Sequence, residues 1–256
     1  MAITDKLTAI ANAIRSKTGS SAAMTLDQMA TEIATIETGG SGGGDDMAGA
    51  LADRTITEFS SNNASSIGEY SFRGCAKLTT VDAPNAKSVG QYAFTKCVSL
   101  NSVNLPLVES VGQYEFNQCN KLRSIVLPSL ASASTNAFRD TQYVETIDCG
   151  TAFASIPAQM FYGCRGLKAL ILRSSTLVTL ANTNAFTNCY RILGTKNSGF
   201  NPNGEKLGFF YVPRALISEY TVATNWSSDS LVTQFRALED YTVDGTINGA
   251  LDKTKI

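Results

Sequence analysis

The sequence predicts an α/β repeat solenoid, a stack of coils of about 22 residues, and three observations carry that prediction. Phe72, Phe94, Phe116 and Phe138 recur every 22 residues, and Phe161 and Phe186 continue the series at 23 and 25. Cys75, Cys97, Cys119, Cys164 and Cys189 each stand three residues after a phenylalanine, and Leu78, Leu100, Leu122, Leu167 and Ile192 stand three further on. Once per period, a pair of apolar residues spaced by two follows. A unit this short cannot bury its own apolar face, so each coil needs its neighbour, and the six phenylalanine units exceed the roughly three such arrays require.

From the N-terminus, residues 1–37 read as a helical hairpin that serves as a docking or oligomerisation module. Ile3, Leu7, Ile10 and Ile14 step by 4, 3 and 4, and Leu26, Met29, Ile33 and Ile36 by 3, 4 and 3, so each helix has one apolar stripe. Gly19 stands where a C-terminal cap is wanted, and Thr25 with Gln28 forms a capping-box pattern. Each stripe spans about two heptads, too few for a coiled coil, and helices this short are marginal in water. The eight apolar side chains are therefore the expected docking face, against this chain, another subunit or further copies of the chain. Residues 38–49 are a Gly-rich linker, TGGSGGG followed by Asp45 and Asp46, natural or engineered.

Residues 50–206 carry the solenoid. Val81 and Ala83, Val103 and Leu105, Ile125 and Leu127, Ile147 and Cys149, and Leu170 and Leu172 alternate with period two, as inward residues of a short strand do. Pro84, Pro106 and Pro128 close three of these strands. A shorter extended piece is expected at Ile67, Val89, Val111 and Ile156, and the Phe-x-x-Cys-x-x-Leu segment then suits one turn of helix packed inward.

Two of these units, SVGQYAFTKCVSLNSVNLP and SVGQYEFNQCNKLRSIVLP, resemble the leucine-rich repeats of the BspA surface-antigen type, and the likeness extends over about residues 56–213. The fourth unit departs from it, with Thr141 in place of cysteine and Asn136 in place of tyrosine. The segment GFFYVPRALISEYTVATNW is similar to the strand and helix that close such arrays, so residues 207–239 read as a C-terminal cap. Pro213 would start its helix, Leu216, Ile217 and Tyr220 would share one face, and Trp226 would cover the last coil. A second amphipathic stretch holds Leu231, Phe235 and Leu238, and residues 240–256 read as a short tail or hairpin.

Composition narrows the function. The chain contains no histidine, which removes Ser-His-Asp and Cys-His nucleophiles and His-ligated metals. The six cysteines form no CxxC pair, and the five in the repeat read as buried apolar fillers stacked about 5 Å apart, close enough to pair without requiring it. Asp82 and Asp148 face outward but lie three coils apart, roughly 14 Å, beyond the about 5 to 9.5 Å of glycosidase pairs. No enzyme, cofactor or metal site is expected. With a net charge of −1, no overall attraction to nucleic acid or anionic membrane is expected either. The start, MAITDKLTAIANAIRSKTG, lacks the basic and apolar regions of a signal peptide, no apolar run approaches a membrane span, and synthesis in a bacterial cytoplasm is expected.

The outward strand residues Thr80, Asp82, Ser102, Asn104, Ser124, Val126, Thr146, Asp148, Ala169 and Ile171 are small and mixed, and form the expected binding surface for a host surface protein or glycan. Tyr70, Tyr92 and Tyr114 fall at a more exposed register and read either as packing or as a stripe for contacts. Residues LTAIANAIRSKTGSSAAMTLDQMATEIATI resemble the leader of tail-associated minor structural proteins of phages and prophages in Gram-positive gut bacteria, and EDYTVDGTINGALD is similar to their C-terminal ends. That resemblance implies a virion protein whose N-terminal helices dock to tail subunits and whose solenoid binds the host. The alternative is a cell-surface adhesin of the BspA type.

Overall fold

The computed structural model describes residues 56–228, 230–243 and 251–252. The expected helical hairpin at 1–37, with Ile3, Leu7, Ile10, Ile14, Leu26, Met29, Ile33 and Ile36, lies outside the described residues, as do the linker at 38–49 and solenoid residues 50–55.

Five successive coils contribute a first strand and a shorter second one. The chain runs through β1 (Glu58–Ser60), β2 (Thr80–Asp82), β3 (Ser88–Val89), β4 (Ser102–Asn104), β5 (Ser110–Val111), β6 (Ser124–Leu127) and β7 (Ser132–Ala133). It continues through β8 (Thr146–Cys149), β9 (Ser155–Ile156), β10 (Ala169–Leu172), β11 (Thr179–Leu180), β12 (Phe209–Val212) and β13 (Phe235–Ala237). Strands of successive coils pair in parallel, as the rungs of a solenoid must. The first strands form one sheet ordered β1-β2-β4 and another ordered β6-β8-β10-β12-β13, while β3-β5-β7 and β9-β11 make the second side.

The register matches each residue with its equivalent one coil on: Val81 faces Val103, Ile125 faces Ile147, and Leu170 faces Phe210. The apolar alternation therefore becomes columns in a continuous core, with Leu78, Val81, Leu100, Leu122, Ile125 and Ile147 fully buried. The phenylalanines form the central column. Their ring centroids are separated by 5.4 Å (Phe72–Phe94), 5.4 Å (Phe94–Phe116), 6.0 Å (Phe116–Phe138), 5.8 Å (Phe138–Phe161) and 5.5 Å (Phe161–Phe186), with planes 7 to 11° apart. Such pairs add about 0.5–1.5 kcal/mol each beyond area burial.

Coils approach too closely for a side chain where Gly follows the second strand. A Cβ on Gly90 would lie 2.6 Å from the backbone nitrogen of Glu69, and one on Gly112 would lie 2.6 Å from that of Gln91.

The Phe-x-x-Cys-x-x-Leu segment is not the expected turn of helix. In the first coil Cys75 N donates to Phe72 O at 2.9 Å and Leu78 N to Cys75 O at 3.1 Å, a string of separate turns. The residue before each of the five Phe-x-x-Cys cysteines and before Thr141 is left-handed, from Asp140 at φ 55° to Gly74 at φ 76°, and a single such residue stops helix propagation. Only the last coil is helical here, in a 3-10 turn at Thr183–Phe186 and α1 at Tyr190–Leu193. The described coils are thus strand and turn, and the α component of the expected α/β solenoid is confined to this coil and the segment after β12.

That segment begins at Pro213 with a 3-10 turn, Arg214–Leu216, and continues as α2 (Ile217–Val222). Tyr220 and Trp226 are fully buried; the phenol oxygen accepts from Val178 N at 3.0 Å and the indole N–H donates to Val178 O at 2.8 Å. The stretch around Phe235 is β13, a further parallel rung beside β12. Near the end, Thr242–Val243 pairs antiparallel with Leu251–Asp252.

Candidate functional site

The strand face is shorter than its sequence pattern suggests. Thr80, Asp82, Ser102, Asn104 and Val126 are half-buried, whereas Ser124, Thr146, Asp148, Ala169 and Ile171 are buried. Ala169 and Ile171 join Tyr211 in a small apolar cluster, against which Phe209, Leu238 and Tyr241 pack. The chain's own later segment therefore covers the face at its C-terminal end. Alternation identifies which residues leave the core, but not what folds over them afterwards.

Three of the polar residues on this face are already engaged, while the buried Ser124 Oγ has no partner among the described residues. Asn104 Nδ2 donates to Asp82 Oδ1 at 2.8 Å across adjacent coils. Asp148 takes a two-pronged contact from Arg173, Nε to Oδ1 and Nη2 to Oδ2, both at 2.8 Å. Burial pushes the Asp148 carboxyl up from its ordinary range, and Arg173 opposes that push. Asp148 is a buried ion-pair partner, so it offers an incoming ligand no free carboxylate. What stays open is the N-terminal part, around Thr80, Asp82, Ser102 and Asn104.

The repeat cysteines have a more specific role than filling space. The thiols of Cys97, Cys119, Cys164 and Cys189 donate to the carbonyls of Phe72, Phe94, Phe138 and Phe161 one coil earlier, at 3.0, 3.1, 3.0 and 3.0 Å. Thr141, the departure in the fourth unit, makes the same bond to Phe116 O at 3.3 Å through its hydroxyl. The column thus selects a small side chain with one donor. None of the six cysteines forms a disulfide, and all six are buried. Burial, reinforced by Cys75, pushes the Cys97 thiol up to about 12, and burial raises Cys119, Cys149, Cys164 and Cys189 as well. A thiol held protonated inside the stack is not a nucleophile.

Two features stand outside the strand face. Tyr70, Tyr92 and Tyr114 form a surface column, centroids 5.1 Å apart at both steps and planes 3° and 11° apart. The Arg73 guanidinium lies 5.5 Å from the Tyr70 ring and 6.0 Å from that of Tyr92. The second feature is Glu115, fully buried where the neighbouring coils have Ala93 and Ala137. Its Oε1 accepts from Gly112 N at 3.0 Å, its Oε2 has no partner, and burial raises its pKa well above the usual value. That interruption of an alanine column was the available sequence signal for Glu115. Among the described residues no group of three or more Cys, Asp or Glu is placed to hold a metal ion, and no helix is long and apolar enough to cross a membrane.

The stacked parallel rungs, their roughly 22-residue period and the Phe-Cys-Leu columns define a leucine-rich repeat solenoid. The model of the BspA type leucine rich repeat region matches six copies across residues 50–168 and 87–198, more than half of the 256 residues. The chain belongs to that family. Among solved structures it is similar to a leucine-rich repeat protein of T. pallidum, at 26% identity and a TM-score of 0.48 over 54% of this chain and 65% of that one. It is similar to the pneumococcal vaccine antigen PcpA, at 14% identity and 0.49 over 72% of this chain and 40% of that one. A leucine-rich cell surface protein of Faecalibacterium prausnitzii aligns at 20% identity and 0.44 over 62% and 37%. The chain spans 65% or less of the length of each of these three structures. No curated protein matches it.

Proposed function

We propose that this chain is a non-enzymatic recognition protein of a phage or prophage tail, in which residues 1–37 dock to other virion subunits or to further copies of the chain, and the solenoid contacts a protein or glycan of the host surface. The observation that carries the recognition half is how each coil uses its reactive groups. The thiols of four repeat cysteines, and the hydroxyl of Thr141, bond to a carbonyl in the preceding coil, and Asp148 is closed off by Arg173. What remains outward is a set of periodic side chains on a rigid stack, which suits binding. The tail half rests on the likeness of the two termini to tail-associated proteins.

Mass spectrometry of purified, induced virions from the source strain, run beside its washed cell-wall fraction, tests the assignment. The expected result is the tryptic peptide SIVLPSLASASTNAFR in virions. Its presence in the wall fraction alone would overturn the tail assignment and leave a surface adhesin.

A further inference from the structure

We infer that the tyrosine column Tyr70, Tyr92 and Tyr114, together with Arg73, is the docking strip of the solenoid, and that it takes an extended anionic glycan carrying a carboxylate or phosphate on each repeating unit. This rests on the recognition reading above and assigns the contact to a side of the coil other than the strand face.

The geometry decides what the column can offer. Because the rings stack almost parallel at 5.1 Å, each turns a face toward its neighbour. A sugar ring therefore has no room to lie between two neighbouring rings. What the column offers besides its ring faces is a hydroxyl on each ring, and among the described residues none of the three hydroxyls makes a hydrogen bond to another side chain or to the backbone. Tyr70 is 41% exposed, and Tyr92 and Tyr114 are half-buried with their rings held in line.

The charges nearby have the matching sign. Arg73 and Lys96 are exposed, and among the described residues neither makes an ion pair. Arg139 stands at the far end, 5.9 Å from the Tyr114 ring and 4.3 Å from Tyr162. Of the acidic neighbours, Asp140 lies 3.5 Å from Arg139, while Glu69 accepts from the neutral Gln91 amide and keeps its charge, so Arg73 and Lys96 outnumber the one uncompensated carboxylate. With a net charge of −1 over the whole chain, attraction to a polyanion is local to this strip.

The backbone adds a further indication. Tyr70, Tyr92 and Tyr114 sit at φ 60°, 60° and 56°, a left-handed conformation unfavourable for bulky side chains, where the fourth coil places the better-suited Asn136 at φ 64°. Three aromatic residues at a position that Asn suits better are in keeping with a use for their side chains. Identical donors repeated at one pitch suit a polymer of identical units better than a peptide, whose successive side chains differ.

The test uses the full chain and three immobilised polymers: polygalacturonate for carboxylate, phosphomannan for phosphate, and dextran as the neutral control. The expected result is salt-reversible binding to one or both polyanions and none to dextran, with the stronger arm identifying the source of the anion. Replacing all three tyrosines by phenylalanine keeps the stack and removes the hydroxyls, and Arg73→Gln removes the cation that lies against the Tyr70 and Tyr92 rings. Each change should weaken binding by about tenfold or more, with thermal unfolding unchanged, as loss of hydrogen bonds to a charged group implies. Equal binding to dextran, no binding to either polyanion, or full affinity in the triple variant would overturn the inference. If Asn104→Ala abolishes binding while the tyrosine variants keep it, the strip is wrong and the recognition reading survives. The virion experiment is independent of all these outcomes.

Discussion

Glu115 occupies an alanine column, and burying a carboxyl there fixes a pH dependence. Its raised pKa means that the folded chain keeps the proton over a range where the unfolded chain, near the ordinary value of 4.5, releases it. A group raised in this way gives its full support below the unfolded pKa, and stability falls as pH climbs through the window up to the folded pKa. Glu115→Gln has nearly the same volume and carries no charge at any pH, so it lacks this loss. Urea midpoints at about pH 4 and pH 8 should therefore show the two proteins close together in acid, with the variant the more stable in alkali. An equal gap at both pH values would show that Glu115 does not titrate between the folded and unfolded states. The Asp148–Arg173 pair is common to both proteins and cancels in the comparison.

The coil is held at its spacing by backbone contact, so a single methyl group tests it. In Gly90→Ala the new Cβ would stand 2.6 Å from Glu69 N and 3.0 Å from its Cα, both backbone atoms that cannot rotate away. Overpacking of this kind costs about 1–3 kcal/mol, and chemical denaturation of the variant should show a loss in that range. A loss under a few tenths of a kcal/mol would mean that the coils slide apart freely. The strands were legible in sequence because alternation is a local signal: Val81, Val103 and Ile125 each announce an inward face, and the 22-residue period sets the register. The turn segment was not. Gly74 and Gly163 look like helix breakers, but Lys96, Gln118 and Asp140 adopt the same left-handed conformation without any compositional mark. The closure of the strand face was equally hidden, because Leu238 and Tyr241, which pack against the cluster of Ala169, Ile171 and Tyr211, lie far along the chain from Ile171.

Across the whole stack, the two sides of the coil are interrupted at different levels. The first strands lose their ladder between β4 and β6, where β3-β5-β7 runs through, and the second strands lose theirs between β7 and β9, where β6 pairs with β8. No level is broken on both sides, and the phenylalanine column crosses both interruptions. In an array stabilised by nearest-neighbour contacts, the weakest boundary decides whether the molecule melts as one unit or two. Phe116 sits at the β4/β6 boundary and stacks on Phe94 and Phe138, so Phe116→Ala removes both ring contacts at a cost of about 3–5 kcal/mol. The sole tryptophan, Trp226, packs on Phe186 and Phe210 and reports the C-terminal block, whereas far-UV circular dichroism reports every coil. In the unmodified protein the two probes should unfold together in urea. In Phe116→Ala, circular dichroism should begin to fall before tryptophan emission, because β1, β2 and β4 detach first. Coincident curves in Phe116→Ala would show that β3-β5-β7 alone couples the two blocks, and that the phenylalanine column contributes stability without carrying cooperativity.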